Sequence, residues 1–247
     1  MKRRSLLCLT GAAALNLVLS AAGRAEHAEC EVPPELSETS IKLPHLAERL
    51  GARQPVNIVA IGGASTKGAA AGAPDLAYPH RLQVALAGYY PDVPVAVVNK
   101  GVPRQSTQQM VERFPTDVIA EDPILVVWEA GISDAVRGIE IDDFATALQA
   151  GIDEVKNRAV DILLVDMQFS RRTSTVINFE QYLNALHRVG DLNGVYVFPR
   201  FQMMRYWSEQ NMFNFDDVAE EERARLAAKV YDCIGRKLAQ IIRSAVR

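Results

Sequence analysis

The stretch Val56–Gly68, VNIVAIGGASTKG, decides the reading of this chain. Val56, Ile58, Val59 and Ile61 form an apolar, β-branched run that stops at Gly62-Gly63. A continuous apolar run of this length is the mark of a parallel strand buried on both faces. Open α/β sheets place their ligands at the carboxyl ends of such strands. Glycine at the exit lets the backbone turn sharply and approach a ligand closely. The first strand therefore points at a site built from Gly63, Ala64, Ser65 and Thr66.

Working outward, strands and helices alternate. Helical spacing is read at 46–50, 79–87 and 144–155, with Tyr78-Pro79 opening the second of these. Residues 106–121 also read as helical, interrupted at Pro115. Strands are expected at 94–98, 124–128, 160–167 and 195–198. Another helix is expected at 179–189. Leu226, Val230, Ile234, Leu238 and Ile242 recur every four residues, the core-facing stripe of a final helix. Glu220, Glu221 and Glu222 suit its first turn electrostatically. This pattern predicts a three-layer α/β/α sandwich around a five-stranded parallel sheet.

The first residues read as an export signal. Lys2, Arg3 and Arg4 precede an apolar run from Leu6 to Leu19, followed by small residues up to Ala25. Arg3-Arg4 before Ser5-Leu6-Leu7 is compatible with the twin-arginine route. The run is shorter than the roughly 20 apolar residues a membrane span needs. The expected organisation is a signal at 1–25, an arm with a short helix at 26–54, extended around Pro33-Pro34, and one α/β domain at 55–247. The mature protein is expected outside the cytoplasm, periplasmic or secreted, with no membrane span.

The formal net charge is −3, and loss of Lys2, Arg3, Arg4 and Arg24 with the signal makes it −7. An acidic chain argues against nucleic acid as a partner. The sequence names no protein partner. No cofactor is implied, and no His, Cys, Asp or Glu spacing suits a metal. Cys30 and Cys233 survive signal removal. They either tie the N-terminal arm to the last helix or leave Cys233 as a small buried hydrophobe beside Val230. Both readings stay open.

From Val56 onward the chain resembles the SGNH (GDSL-like) ester hydrolases. The matching blocks, in the family's order, are Gly62 with Thr66 and Gly68, Tyr78-Pro79 with Arg81-Leu82, Asn99-Lys100-Gly101, and Trp128 to Asp134. An aspartate, Asp216, precedes the last helix. The resemblance implies the flavodoxin-like SGNH fold and acyl or acetyl ester hydrolysis. That chemistry uses a serine nucleophile, a histidine base oriented by an aspartate three residues earlier, and an oxyanion hole made by a glycine amide and an asparagine.

Laid on this sequence, the family's positions are largely replaced. The nucleophile position holds Ala64, the oxyanion glycine Arg104, the asparagine Ser133 and the histidine Ala219. Shifting the first block by one residue makes Ser65 the nucleophile, but Thr66, Gly68 and Tyr78-Pro79 then lose register. The reading is a degenerate hydrolase that binds an acylated or acidic glycan or lipid, with Gly63, Ala64, Thr66, Arg104 and Asp134 as its ligand-binding set. Arg104 suits a carboxylate, a phosphate or a sugar acid. One alternative is an active esterase using Ser65, with Ser133 and Asp216 completing the site or with Asp216 or Glu129 as base. Another is a structural interaction protein. The apolar stretch Phe201, Met203-Met204, Tyr206 and Trp207 reads as core.

Overall fold

The computed structural model describes residues 30–171, 177–214 and 218–247. The chain divides into two units, Met1–Glu31 and Val32–Arg247. The export signal expected at 1–25 lies outside the described residues. In the second unit, Pro34 opens a short helix, α1 (Pro34–Ser37), and Pro44 opens α2 (Pro44–Gly51). The extended arm expected around Pro33-Pro34 is thus a helical turn, because proline at the first helical position has its φ already set and needs no amide partner.

Five strands follow: β1 (Val56–Gly62), β2 (Val95–Gly101), β3 (Leu125–Glu129), β4 (Asp161–Val165) and β5 (Val197–Phe198). They form one parallel sheet in the order β2-β1-β3-β4-β5. Ile58 stands beside Val97 on one side and Leu125 on the other, Val127 beside Leu163, and Val165 beside Phe198. Strand order reverses between β1 and β3, and a crevice opens beyond the carboxyl ends of strands at such a switch.

The connecting helices are α3 (Ala64–Lys67), α4 (Tyr78–Tyr89), α5 (Thr107–Glu112), α6 (Phe114–Asp117), α7 (Ile132–Arg137), α8 (Ile141–Lys156), α9 (Glu180–Asn193), α10 (Arg200–Glu209) and α11 (Glu220–Ala245). Side chains alternate across a strand. Val59, Ile61, Val126, Trp128, Ile162 and Leu164 accordingly share one cluster with Met110, Phe114, Phe144, Leu148, Ile152 and Leu186 from the helices. The Phe114 and Trp128 rings meet edge to face at 5.0 Å.

Most of the stripe on α11 is buried as its spacing predicts: Val230, Ile234, Leu238 and Ile242 are each at most 4% exposed, while Leu226 is half-buried. α11 packs along α4 at close range. A Cβ at Gly235 would sit 2.6 Å from Arg81 Cβ and 2.7 Å from the Leu82 amide, so only glycine permits this approach. No helix among the described residues is long and apolar enough to cross a membrane.

Candidate functional site

The site is built at the elbow where β1 gives way to α3. Gly62 ends the strand, Gly63 caps α3, and Gly68 closes it at φ +82°. A Cβ at Gly62 would lie 2.7 Å from Glu129 Cβ, so the elbow presses directly onto the end of β3. Asn99, at the end of β2, secures the turn. Its Nδ2 donates to the Thr66 carbonyl at 2.7 Å, and its Oδ1 accepts from the Gly101 amide at 2.9 Å. A helical elbow places successive side chains about 100° apart, and that decides their fates. Ala64 faces solvent, whereas Ser65 and Thr66 are buried.

Beneath the elbow lies a closed polar network. Ser65 Oγ donates to Glu129 Oε1 at 2.6 Å and accepts from Arg200 Nη1 at 2.8 Å. Arg200 Nη2 reaches the same carboxylate oxygen at 3.1 Å. Glu129 Oε2 accepts from the Thr66 amide at 3.1 Å and from the Thr66 hydroxyl. Tyr78 OH lies 3.0 Å from Thr66 Oγ1, and because that hydroxyl already donates to Glu129, the phenol donates to it. Glu129, Arg200, Thr66 and Tyr78 are each at most 2% exposed.

The electrostatics follow from the geometry. Burial pushes the Glu129 carboxyl up, but the Arg200 charge and the Ser65, Thr66 and Arg200 hydrogen bonds outweigh it and hold the group below the usual carboxylate range. Burial pulls Arg200 down, and the Glu129 charge more than restores it. Tyr78 is pushed well up, chiefly by burial and then by Glu129. Glu129 is therefore a fixed anion with four donors, and a carboxylate with a depressed pKa is a weak general base near neutral pH.

Above the network opens a cleft of about 340 Å³, lined by Ala64, Ser65, Arg104, Glu129, Ser133 and Arg137 among others. Arg104 is exposed and has φ +66°, the left-handed region that a glycine would adopt freely. Its carbonyl accepts from Arg137 Nη2, which holds the loop in this conformation. Ser133 is half-buried on the first turn of α7. Asp134 is buried and points away into the fold. It accepts the Thr107 amide at 3.0 and 3.1 Å and the Thr107 hydroxyl at 2.8 Å, anchoring the start of α5 and hence the loop that carries Arg104. Burial pushes its carboxyl up, against those hydrogen bonds.

Of the residues singled out from sequence, Ala64, Ser65, Arg104 and Ser133 meet at one cleft, while Gly63 is buried at the N-cap of α3. Thr66 and Asp134 support the cleft from inside. Asp216 lies outside the described residues. Ala219, in the histidine position, is the exposed N-cap of α11. Among the described residues no histidine lines the cleft. His45 Nδ1 lies 2.8 Å from Asp161 Oδ1 at the opposite, amino-terminal end of the sheet. His187 Nε2 lies 3.3 Å from Asp166 Oδ2. His80 is half-buried on α4. Among the described residues no three His, Cys, Asp or Glu side chains gather as a metal would require. Sequence reasoning missed Arg200. The available signal was an arginine directly after a strand-ending proline, inside an otherwise core-like stretch.

The profile of the non-GDSL lipase-like family matches residues 29–247. No curated protein matches the chain. Among solved structures, TesA is 20% identical, with 72% of this chain and 97% of that chain covered and a TM-score of 0.56. A lipase/acylhydrolase from Enterococcus faecalis is 22% identical, with 70% and 93% covered and a TM-score of 0.56. A two-domain esterase active on acetylated mannans is 18% identical over 83% of this chain, with a TM-score of 0.59. This chain spans only 55% of that esterase. At these identities the likeness is one of fold.

Proposed function

The chain belongs to the non-GDSL lipase-like family, and on that premise we propose that it is an exported, hydrolase-shaped binding protein that does not hydrolyse esters by the SGNH route. One observation carries this reading. The side chain that faces the cleft at the nucleophile position is the methyl of Ala64, while the neighbouring hydroxyl of Ser65 is held between Glu129 and Arg200. A serine attacks only after a base takes its proton, and its nearest carboxylate is an anion stabilised in place. Removing nucleophile or base alone costs several orders of magnitude in rate, so the joint absence leaves near-background catalysis.

The ligand is an acylated or acidic glycan or lipid. Its anionic or acyl group meets Arg104 beside Ala64, with Gly63 shaping the turn beneath them. The fold shared with an esterase active on acetylated mannans directs the first ligand panel toward acetylated glycans. Calorimetric titration with acetylated and uronic oligosaccharides, alongside turnover of p-nitrophenyl acetate, tests the proposal. Binding without turnover supports it; turnover abolished by Ser65→Ala refutes it. A second reading, an esterase using Ser65, draws on the 2.6 Å contact of Ser65 with Glu129, and the same pair of measurements decides between them.

Residues 1–25 serve as the export signal, 26–54 as the arm and short helices, and 55–247 as the domain that holds the cleft. The N-terminus of the protein recovered from the periplasm or medium checks this. A start near Glu26 fits, and an intact Met1 does not.

A further inference from the structure

A second cavity, of about 570 Å³, opens beyond the carboxyl ends of β4 and β5, between α9 and α10. It is larger than the Arg104 cleft and within the size range of small-molecule sites. Its base is Asp166, the residue that follows β4, which is 1% exposed. Asp166 Oδ1 accepts the Phe201 amide at 2.7 Å, and Oδ2 faces His187 Nε2 at 3.3 Å. The His187 side chain is 40% exposed, so a ligand can reach it.

This arrangement sets the chemistry of the imidazole. A carboxylate on Nε2 selects the tautomer with its proton there, leaving Nδ1 as a lone-pair acceptor. Among the described residues Nδ1 has no protein partner. A ligand group seated on it must therefore donate. The Asn178 and Asn184 amides also line the cavity and make no protein hydrogen bond among the described residues. Each presents both a donor and an acceptor. Glu180 on the wall has no partner among the described residues and repels an anionic ligand, while Arg205 is engaged with Gln202 at 3.1 Å and with Glu209 at 3.6 Å. Phe201 and Leu183 provide apolar surface. An acceptor, two bifunctional amides and an apolar wall match a molecule with several hydroxyls and no charge.

We propose that this cavity is a second binding site, separate from the Arg104 cleft, for a neutral saccharide, with His187 Nδ1 accepting from a sugar hydroxyl and Asp166 acting as the positioning residue. The site takes neutral sugar and excludes uronic acids, the opposite preference to that of the Arg104 cleft.

The test is nitrogen-15 NMR of the histidine side chains in the full-length protein. It is titrated with xylotetraose, mannotetraose and cellotetraose, with a uronic tetrasaccharide as the charged arm. At least one neutral sugar is expected to shift the Nδ1 resonance of His187. His187→Phe should weaken its binding about tenfold or more, the worth of one good hydrogen bond. Arg104→Gln should leave that binding unchanged. Asp166→Asn, whose amide can donate to Nε2, should move the proton to Nδ1. That appears as a change in the Nδ1 shift that a merely structural role would not produce. If His187→Phe does not fold, Asn178→Ala with Asn184→Ala gives the same reading. The proposal is overturned if no neutral sugar shifts His187, if the uronic sugar binds there more tightly, or if both cavity variants bind as wild type. Ester turnover, which tests the Arg104 cleft, is independent of all these outcomes.

Discussion

Arg200 and Glu129 form a buried ion pair, 3.1 Å from Nη2 to Oε1, with each side chain 2% exposed, and the hydroxyl of Ser65 bridges them. The pair joins the start of α10 to the end of β3, 71 residues apart in sequence. Arg200 Nε has no partner among the described residues, so the guanidinium depends on its two terminal nitrogens.

Breaking such a pair from one side leaves an uncompensated buried charge. Arg200→Met is expected to destabilise the protein by about 3–5 kcal/mol. Adding Glu129→Gln should recover much of that loss, because the orphaned charge is gone. Urea unfolding of the two variants measures the difference, and additive losses would show that the residues act independently.

The depressed pKa of Glu129 has a signed consequence. Its folded value lies below the usual 4.5, so the unfolded chain takes up the proton first as pH falls. The stability it contributes is present above about pH 4.5 and is lost as pH drops through the folded value. Melting temperatures recorded from pH 6 downward should fall more steeply for the wild type than for Glu129→Gln. Parallel curves would mean that the carboxylate is not held by its partners.

Arg104 occupies a left-handed backbone conformation at φ +66°. Arg104→Gly relieves that strain but loosens the unfolded chain, so stability should change by less than about 1 kcal/mol. Binding of a carboxylated ligand should weaken roughly tenfold to a hundredfold with the loss of a charge-assisted hydrogen bond. Calorimetry beside a thermal melt separates the two effects. Unchanged affinity would place the ligand elsewhere.

Ala64→Ser restores a hydroxyl at the exposed elbow position without restoring a base, because Ala219 stands in the histidine position. The variant should fold and turn over p-nitrophenyl acetate no faster than the parent. A clear gain would reveal a base that the geometry does not show.

Much of the fold was legible in the residues. The run from Val56 to Ile61 ends in two glycines, and the four-residue stripe on α11 has no other sensible packing. The order of the Asn99 and Trp128 blocks placed the cleft. What could not be read was pairing across long separations. The stretch Phe201, Met203-Met204, Tyr206 and Trp207 reads as core, and Met203, Met204 and Trp207 are buried while Phe201 and Tyr206 are half-buried, yet the stretch hid that Arg200 beside them is buried, since its partner comes from β3. Glu129 stood in view as a conceivable base, but only the contacts of Ser65, Thr66 and Arg200 turn it into a fixed anion. Around Pro33-Pro34 two opposing tendencies, extended chain and helix start, share the same residues, and the preset φ of Pro34 at the first helical position favours α1.

On the proposed function, the hydroxyl of Ser65 belongs to a structural network and not to a catalytic one. Labelling with a fluorophosphonate probe, run on the wild type and on Ser65→Ala, tests it most directly. No covalent adduct is expected in either protein. An adduct on the wild type that disappears in Ser65→Ala would contradict it.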